Sequence, residues 1–412
     1  MSKKAKPGLF KEVAIMQGNP KWERATERYG ELYNRCDDIR SEFARDYNRI
    51  LHCTAYRRLK HKTQVFIAPM NDHICTRIEH VNHVNSVSYT IAKFLGLNVE
   101  LTDAISIGHD IGHAPFGHAG ESIIKDIVEK DIGGSFWHEK NSLHFVDDCE
   151  TLEDPQGFHR NLNLTYAVRD GIVCHCGEVD ENSLFPRDES IDLHTIESPN
   201  EVNPYTWEGC VVKVADKIAY LGRDIEDAIT LKVLTRSQLT ELLKIVKGYG
   251  KTKIREINTT ILMHNFITDL CEYSSPTHGI QISNQNLQFI NSLKEFNYKN
   301  IYYHWRLENY KKYAKLVIES IYDMLKHMYH AENSLKHINR YHDIYPLLVG
   351  VFSEWLLKYS NLSKREDKTN RYHNVILYDL SNEKSYYQAA IDFISGMTDS
   401  FAIRIFNEIT MF

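Results

Sequence analysis

Residues 108 to 121 read GHDIGHAPFGHAGE and place three histidines and two carboxylates within fourteen positions. Neighbouring side chains on a helix point about 100° apart, so His109 and Asp110 can reach one ion only near a helix end or a kink. The glycines and Pro115 that follow them supply such a break. The stretch therefore predicts a pair of metal ligands at the end of a helix.

A pair of ligands does not hold a divalent ion tightly, so further ligands must come from elsewhere in the chain. His80 lies within a helical pattern, and Asp216 interrupts an otherwise apolar run, where an acid is costly unless a cation or a metal compensates it. Two imidazoles and two carboxylates suit Mn²⁺, Mg²⁺, Co²⁺ or Fe²⁺. We therefore expect one such ion per subunit, with coordination positions open to a phosphate oxygen and a water.

Apolar residues recur at three- and four-residue steps along most of the chain, which predicts an all-α protein. One helix is expected from Arg77 to near Gly96, a second from Thr102 as its N-cap, and a third over 211–229. Residues 131–209 hold several glycine and proline pairs, which predict short helices joined by ordered loops.

The order His80, His109-Asp110, Asp216 resembles the motif of HD phosphohydrolases. More specific segments resemble dGTPase-like deoxynucleoside triphosphate triphosphohydrolases: Arg45-Asp46, Tyr56-Arg57-Arg58-Leu59, Lys62-Thr63-Gln64-Val65, Asn163-Leu164-Thr165, Asp224-Ile225-Glu226-Asp227-Ala228-Ile229 and Gly396-Met397-Thr398-Asp399. These matches extend from about residue 40 to about residue 405. The resemblance implies hydrolysis of a dNTP, dGTP favoured, to deoxynucleoside and inorganic triphosphate by water attack at the α-phosphorus.

The same resemblance assigns catalytic roles. His118 and Glu121, three residues apart on one helical face, correspond to a His/acid pair for proton transfer. His113 corresponds to a histidine that faces phosphate, and His138 to a further active-site histidine.

Substrate-binding roles follow from the resemblance as well. Arg77 and Lys217 correspond to phosphate contacts, Tyr220 to a residue that stacks on the sugar, and Asp224 and Gln64 to contacts with the 3′-hydroxyl. Independently of the resemblance, positions 216, 220 and 224 share one face of a helix.

Composition and charge limit the partners and the compartment that the sequence allows. A net charge of −6 argues against a surface built throughout for polyanions, and no apolar run of about 18 residues predicts a membrane span. Eight sparse cysteines and no apolar leader indicate a reduced, cytoplasmic protein.

Cys174-His175-Cys176 is interpreted as a helix end with two small thiols, since a zinc site would need a second ligand pair. The tyrosine-rich segment 301–315 is interpreted mainly as helix packing, with base stacking as the alternative.

We expect an N-terminal extension (1–39), an HD core (40–235) and a C-terminal helical region (236–412) that completes the pocket and an oligomer interface. The resemblance implies a homo-oligomer, tetramer or hexamer, and leaves open a nucleotide effector, single-stranded nucleic acid and an additional Mg²⁺ carried by the nucleotide. The alternatives are another HD-type phosphohydrolase or phosphodiesterase, and a regulatory HD protein that binds nucleotides or nucleic acid.

Overall fold

The computed structural model describes residues 6–30, 32, 38–66, 73–176, 182–249, 259–362 and 371–411. Over these residues the protein is mostly α-helical, which confirms the predicted fold class. The helices are α1 (Trp22–Thr26), α2 (Glu42–His52), α3 (Thr54–Arg58), α4 (Arg77–Leu95), α5 (Val99–Gly108), α6 (Gly117–Asp131), α7 (His138–His144), α8 (Tyr166–Val173), α9 (Trp207–Thr230), α10 (Arg236–Tyr249), α11 (Thr259–Tyr273), α12 (Asn284–Asn297), α13 (Trp305–His327), α14 (Ser334–Ile338), α15 (Pro346–Tyr359), α16 (Glu383–Ser395) and α17 (Asp399–Thr410).

Helix α4 has the bounds that its periodicity predicts. Thr76 and Glu79 form a capping box at its start, and Gly96 ends it in the left-handed conformation, with φ of 83°. One face of α4 is buried against α5, which leads directly into His109 and Asp110, and against α9, which carries Asp216. This three-helix packing brings residues 80, 109, 110 and 216 towards one place.

The predicted start of α5 is wrong. Asn98, not Thr102, is the N-cap, because its side chain accepts hydrogen bonds from the backbone N–H groups of Glu100 and Leu101. Thr102 lies one turn inside the helix, where its hydroxyl donates to the Asn98 carbonyl at 2.8 Å. The helix ends at Gly108, so His109 and Asp110 stand at a helix end, as their spacing predicts.

Helix α9 starts four residues earlier than its apolar pattern predicts. The Thr206 hydroxyl accepts a hydrogen bond from the Gly209 backbone N–H at 3.0 Å and so caps the helix. The first turn, Trp207-Glu208-Gly209-Cys210, contains none of the Val, Ile or Leu residues on which the periodicity argument rested, which is why that argument misses it.

The described residues of the stretch 131–209, namely 131–176 and 182–209, fold as predicted into short helices and loops, with α7 and α8 as the regular pieces. Helix α7 continues into a π-helical turn, Phe145–Cys149. Two short antiparallel strands, β1 (Thr151–Glu153) and β2 (His159–Asn161), were not predicted. Three-residue strands are too short to give a periodic signal in the sequence.

The buried apolar side chains form two clusters. The first runs from Phe10 to Ile301 and surrounds α4, α5, α8 and α9. The second joins α6 to α13 and the C-terminal helices. The apolar packing thus does not divide at residue 235, although the domain assignment itself stays a prediction. In the described part of the chain, every helix is too short or too polar to cross a membrane, and the seven cysteines are free thiols.

Candidate active site

Four candidate ligands converge where α4, α5 and α9 meet. His80 Nε2 lies 2.9 Å from Asp216 Oδ1 and 3.9 Å from Asp110 Oδ2. His109 Nε2 lies 3.7 Å from Asp110 Oδ2 and 4.0 Å from Asp216 Oδ1. Side-chain exposure ranges from 0% for His109 to 17% for Asp216, so the cluster is buried and open on one side.

The His109 ring is held in the tautomer that a metal ligand needs. Its Nδ1 lies 2.6 Å from the Ser106 carbonyl, so Nδ1 carries the proton and Nε2 the lone pair. Nε2 is buried and has no hydrogen-bond partner among the described residues. Burial lowers the pKa of His109 to about 4, which keeps the ring neutral. A buried lone pair beside two carboxylates fits a divalent ion.

Arg77, in the first turn of α4, is the cation nearest to these carboxylates. Its guanidinium donates to Asp110 Oδ2 at 2.6 Å, and both side chains are about 3% exposed. Burial alone would raise the pKa of Asp110, but Arg77 and the surrounding histidines outweigh it and hold that pKa well below its usual range. Asp110 is therefore ionised.

A second cluster is formed by His118, Glu121 and His138. Glu121 Oε2 lies 3.1 Å from His118 Nδ1, and Oε1 accepts from the His138 backbone N–H at 2.8 Å and lies 3.0 Å from His138 Nδ1. Burial raises the pKa of Glu121, but His138 and His118 outweigh it and hold that pKa well below its usual range. The carboxylate is thus an ionised acceptor between two imidazoles.

The pKa of His138 shifts in the opposite direction to that of Glu121. Burial lowers its pKa, but the carboxylates of Glu139 and Glu121 outweigh burial and raise the pKa to about 10. His113 is fully buried and stacks on His138, with ring centroids 4.5 Å apart. His113 therefore supports the His138 ring.

Both clusters open into one cavity of about 500 Å³. Its lining includes a group of charged and imidazole side chains that we call the ionic wall: His80, Asp110, His118, Glu121, His138 and Asp216. It also includes a group that we call the tyrosine wall: Tyr298, Tyr302, Tyr303 and Tyr310. Gln64, Arg77, Tyr220 and Asp224 also line the cavity.

Lys217 differs from the other predicted contacts. It lies about 100° around α9 from Asp216 and lines a second, smaller cavity with Lys213 and Ile280. His109 and His113 lie behind the ionic wall and do not line the cavity. The roles assigned to these residues from sequence stay predictions.

The sequence is similar to those of known proteins of one family. The HD domain profile matches residues 77–221, the segment that contains all four candidate ligands. A deoxyguanosinetriphosphate triphosphohydrolase-like protein of Desulfatibacillum aliphaticivorans is 38% identical over 69% of this chain and 73% of its own length. One from Rickettsia bellii is 31% identical over 92% of this chain and 94% of its own.

The chain belongs to the deoxyguanosinetriphosphate triphosphohydrolase-like family of HD-domain proteins. A further member, from Caldanaerobacter subterraneus, is 35% identical over 69% of this chain and 72% of its own length.

Three residues at or beside this site were not predicted from the sequence. His175 was interpreted as part of an inert helix end, yet its ring meets that of His109 at 4.8 Å between centroids. Tyr302 was interpreted mainly as packing, yet it lines the cavity and its hydroxyl donates to Asp224 Oδ2. Cys176 lines the cavity too. The cluster of histidine between two cysteines was the available signal for His175; Tyr302 had no comparable signal.

Proposed function

We propose that this protein hydrolyses deoxynucleoside triphosphates, with dGTP favoured, to deoxynucleoside and inorganic triphosphate by water attack at the α-phosphorus. The observation that carries the proposal is that one cavity is lined by the ionic wall, by Tyr220 and Asp224, and by the tyrosine wall. The names of the family members support the choice of substrate.

His80, His109, Asp110 and Asp216 would hold one divalent ion per subunit: Mn²⁺, Mg²⁺, Co²⁺ or Fe²⁺. The donor set fits, since it joins two imidazoles to two carboxylates, and the buried Nε2 of His109 has no other described partner. When bound, such an ion supplies a Lewis acid that polarises a phosphoryl oxygen. A further Mg²⁺ carried by the nucleotide also stays a prediction.

Glu121 organises proton transfer in this proposal. Because it is ionised, it accepts the Nδ1 protons of both neighbouring rings and leaves their Nε2 atoms for other partners. His118, with a side chain 68% exposed, would give a proton to the leaving 5′-oxygen, and Glu121 would stabilise the charge on its ring.

Arg77 would contact the triphosphate, since its guanidinium lines the cavity next to Asp110. The guanidinium already meets Asp110, so one residue would link the metal cluster to the phosphates. Lys217 gains no such support, because it lines the other cavity.

The sugar would lie between α9 and the tyrosine wall. Tyr220 offers a ring face, and Asp224 would accept a hydrogen bond from the 3′-hydroxyl with help from Gln64, whose Oε1 is buried without a described partner. A 2′-hydroxyl buried there without a partner would cost about 1–3 kcal/mol. Deoxynucleotides should therefore be preferred to ribonucleotides.

The test is to incubate the protein with each dNTP and with GTP, in Mn²⁺ or Mg²⁺, and to identify the products by chromatography. We expect deoxynucleoside and triphosphate, and slower turnover of GTP. Release of pyrophosphate or orthophosphate instead would indicate another HD-type phosphohydrolase. No product from any nucleotide, in a protein that binds them, would indicate a regulatory HD protein.

We also propose a homo-oligomer, tetramer or hexamer, that works in the cytoplasm, with a nucleotide effector or single-stranded nucleic acid as a further partner. The family resemblance supports these assignments. Light scattering with and without dNTP or an oligonucleotide tests the assembly; a monomer under every condition would contradict it.

A further inference from the structure

We propose that Asp399, the first residue of α17, is a positioning residue for the proposed reaction. Its carboxylate holds two parts of the cavity lining in register: the segment of Gln64, and the turn that leads into α6, the helix of His118 and Glu121. Asp399 itself does not line the cavity, so it acts through the groups that it holds. The proposal rests on the proposed function, because it concerns how that site is kept in shape.

Each oxygen of the Asp399 carboxylate accepts a backbone N–H from a different segment. Oδ2 accepts from Thr63 at 2.9 Å, and Oδ1 accepts from Phe116 at 2.8 Å. Thr63 directly precedes Gln64, and Phe116 lies two residues before His118. The carboxylate is buried, so its loss would leave both N–H groups without an acceptor. One side chain of the C-terminal region thus fixes two segments that are far apart in sequence.

The start of α6 depends on contacts from outside the helix. Phe116 has φ of 66° and Gly117 has φ of 61°, so two consecutive residues are left-handed. This conformation is costly for a residue with a side chain, such as Phe116, and it persists where surrounding contacts fix it. A Cβ atom at Gly117 would lie 3.1 Å from the Gln64 carbonyl oxygen, so this turn and the Gln64 segment touch. Asp399 therefore holds a strained turn against its neighbour.

Lys62 links the same parts of the chain a second time. Its ammonium group donates to the carbonyl oxygens of His113 and Ser395, the latter at 2.9 Å. His113 lies in the loop before α6, and Ser395 is the last residue of α16. Lys62 is buried like Asp399, and a buried charge is retained at a cost in stability. Two buried charged side chains thus fix the junction of these segments.

Arg77 extends the junction to the metal-ligand cluster. Its backbone N–H donates to the Lys62 carbonyl at 3.1 Å, and its Nε donates to the Thr63 carbonyl at 3.2 Å. The same guanidinium donates to Asp110 at 2.6 Å. The segment that Asp399 holds is therefore in contact with a residue that meets both the ligand cluster and the cavity. A displacement of about 1 Å at such a place can lower a rate about 10²-fold.

The test is Asp399→Asn in the full chain, supplied with Mn²⁺. The amide keeps the shape but accepts through one oxygen only, so one of the two N–H groups would meet a donor. We expect kcat for dGTP to fall about 10²-fold with unchanged metal content. The ratio of kcat/KM for dGTP to that for 2′,3′-dideoxy-GTP should fall about tenfold, because a displaced Gln64 no longer contacts the 3′-hydroxyl.

The matched control is Asp392→Asn on the neighbouring helix α16. Asp392 is also buried, and its carboxylate accepts from Tyr378 at 2.8 Å and from Gln388 at 2.7 Å and lies 3.0 Å from His144 Nε2. None of these residues lines the cavity. This variant should lose stability and keep the substrate ratio. Loss of folded protein lowers both kcat/KM values equally, so it cannot change the ratio.

The same ratio in Asp399→Asn as in the unaltered protein would overturn the positioning role, and so would an equal decrease in Asp392→Asn. If Asp399→Asn does not fold, hydrogen exchange in the unaltered protein decides. The amides of Thr63 and Phe116 should exchange at least about 10²-fold more slowly than those of an open loop, and exchange at the open-loop rate would overturn the proposal. Absence of dGTP hydrolysis in the unaltered protein would refute the proposed function, whereas hydrolysis with unchanged ratios refutes the role of Asp399 alone.

Discussion

The ionic wall and the tyrosine wall of the cavity consist of different kinds of side chain and come from different parts of the chain. The ionic wall gathers charged side chains from four helices, α4, α6, α7 and α9, and from the turn after α5. The tyrosine wall comes from one continuous stretch, the π-helical turn Tyr298–Tyr302 and the start of α13. Burying so much charge is costly and is tolerated where ions and protons must be handled, whereas aromatic rings provide area for a sugar or a base.

Tyr302 of the tyrosine wall donates a hydrogen bond to Asp224, which lies on α9, the helix that also carries Asp216 of the ionic wall. If the walls have separate tasks, changes to the ionic wall should abolish turnover, and changes to the tyrosine wall should mainly alter recognition. Tyr302 should do both, because it binds Asp224 on the helix that also carries Asp216. The following changes are arranged from the largest expected effect to the smallest.

Asp216→Asn should reduce hydrolysis to background and lower the metal content by one ion per chain, because the amide replaces a charged ligand. The fold should persist, since Asp216 is partly exposed to the cavity. The companion variant Asp110→Asn should lose metal and also stability, by about 3–5 kcal/mol, because it leaves Arg77 buried without its charged partner. Elemental analysis and chemical denaturation measure both effects; full metal content in Asp216→Asn would contradict the assigned site.

Glu121→Gln should keep the metal but lower kcat on the order of 10²–10⁴-fold, the usual cost of losing a proton-transfer group. The matched control is Glu129→Gln on the same helix, where the side chain is 53% exposed and away from the cavity. It should leave kcat unchanged. Steady-state kinetics decide, and equal kcat for Glu121→Gln and the unaltered protein would remove Glu121 from the mechanism.

Tyr302→Phe should lower kcat/KM for dGTP by about 10- to 100-fold, because a hydrogen bond to a charged group contributes about 1.5–3 kcal/mol. Its discrimination between dGTP and GTP should weaken as well. Tyr303→Phe is the control, since Tyr303 lines the same wall but is 67% exposed. If both variants behave like the unaltered protein, the tyrosine wall only packs, as its sequence suggested.

The smallest effect concerns pH. Burial raises the pKa of Asp224 to about 6, and the hydrogen bond from Tyr302 partly opposes that rise. Below pH 6 the protonated carboxyl is a poorer acceptor for a 3′-hydroxyl, so KM for dGTP should increase by up to about tenfold per pH unit. In Tyr302→Phe this increase should begin at higher pH.

The control for the pH effect is 2′,3′-dideoxy-GTP, which lacks the 3′-hydroxyl. Its KM should not follow the ionisation of Asp224. The same pH dependence for both substrates would assign the effect to another group of the ionic wall.

The sequence by itself determined the features that depend on neighbours along the chain. Helical periodicity gave the bounds of α4, and the glycines and Pro115 that follow His109 and Asp110 indicated a nearby helix end, which the structure has at Gly108. The eight-residue interval from Asp216 to Asp224 put both on one side of α9, and both line the cavity. Even so, the N-cap of α5 was misplaced, because Asn98 and Thr102 are both good capping residues and local sequence did not rank them.

Only the tertiary structure decided which distant segments meet. Tyr302 reaches Asp224 across 78 positions of the chain, and His175 lies against His109 because α8 packs on α5. The same packing turns Lys217 to a different cavity from Asp216, its neighbour in sequence. The physical reason is that periodicity fixes the face of a helix on which a residue lies, whereas the partner of that face depends on how whole helices pack.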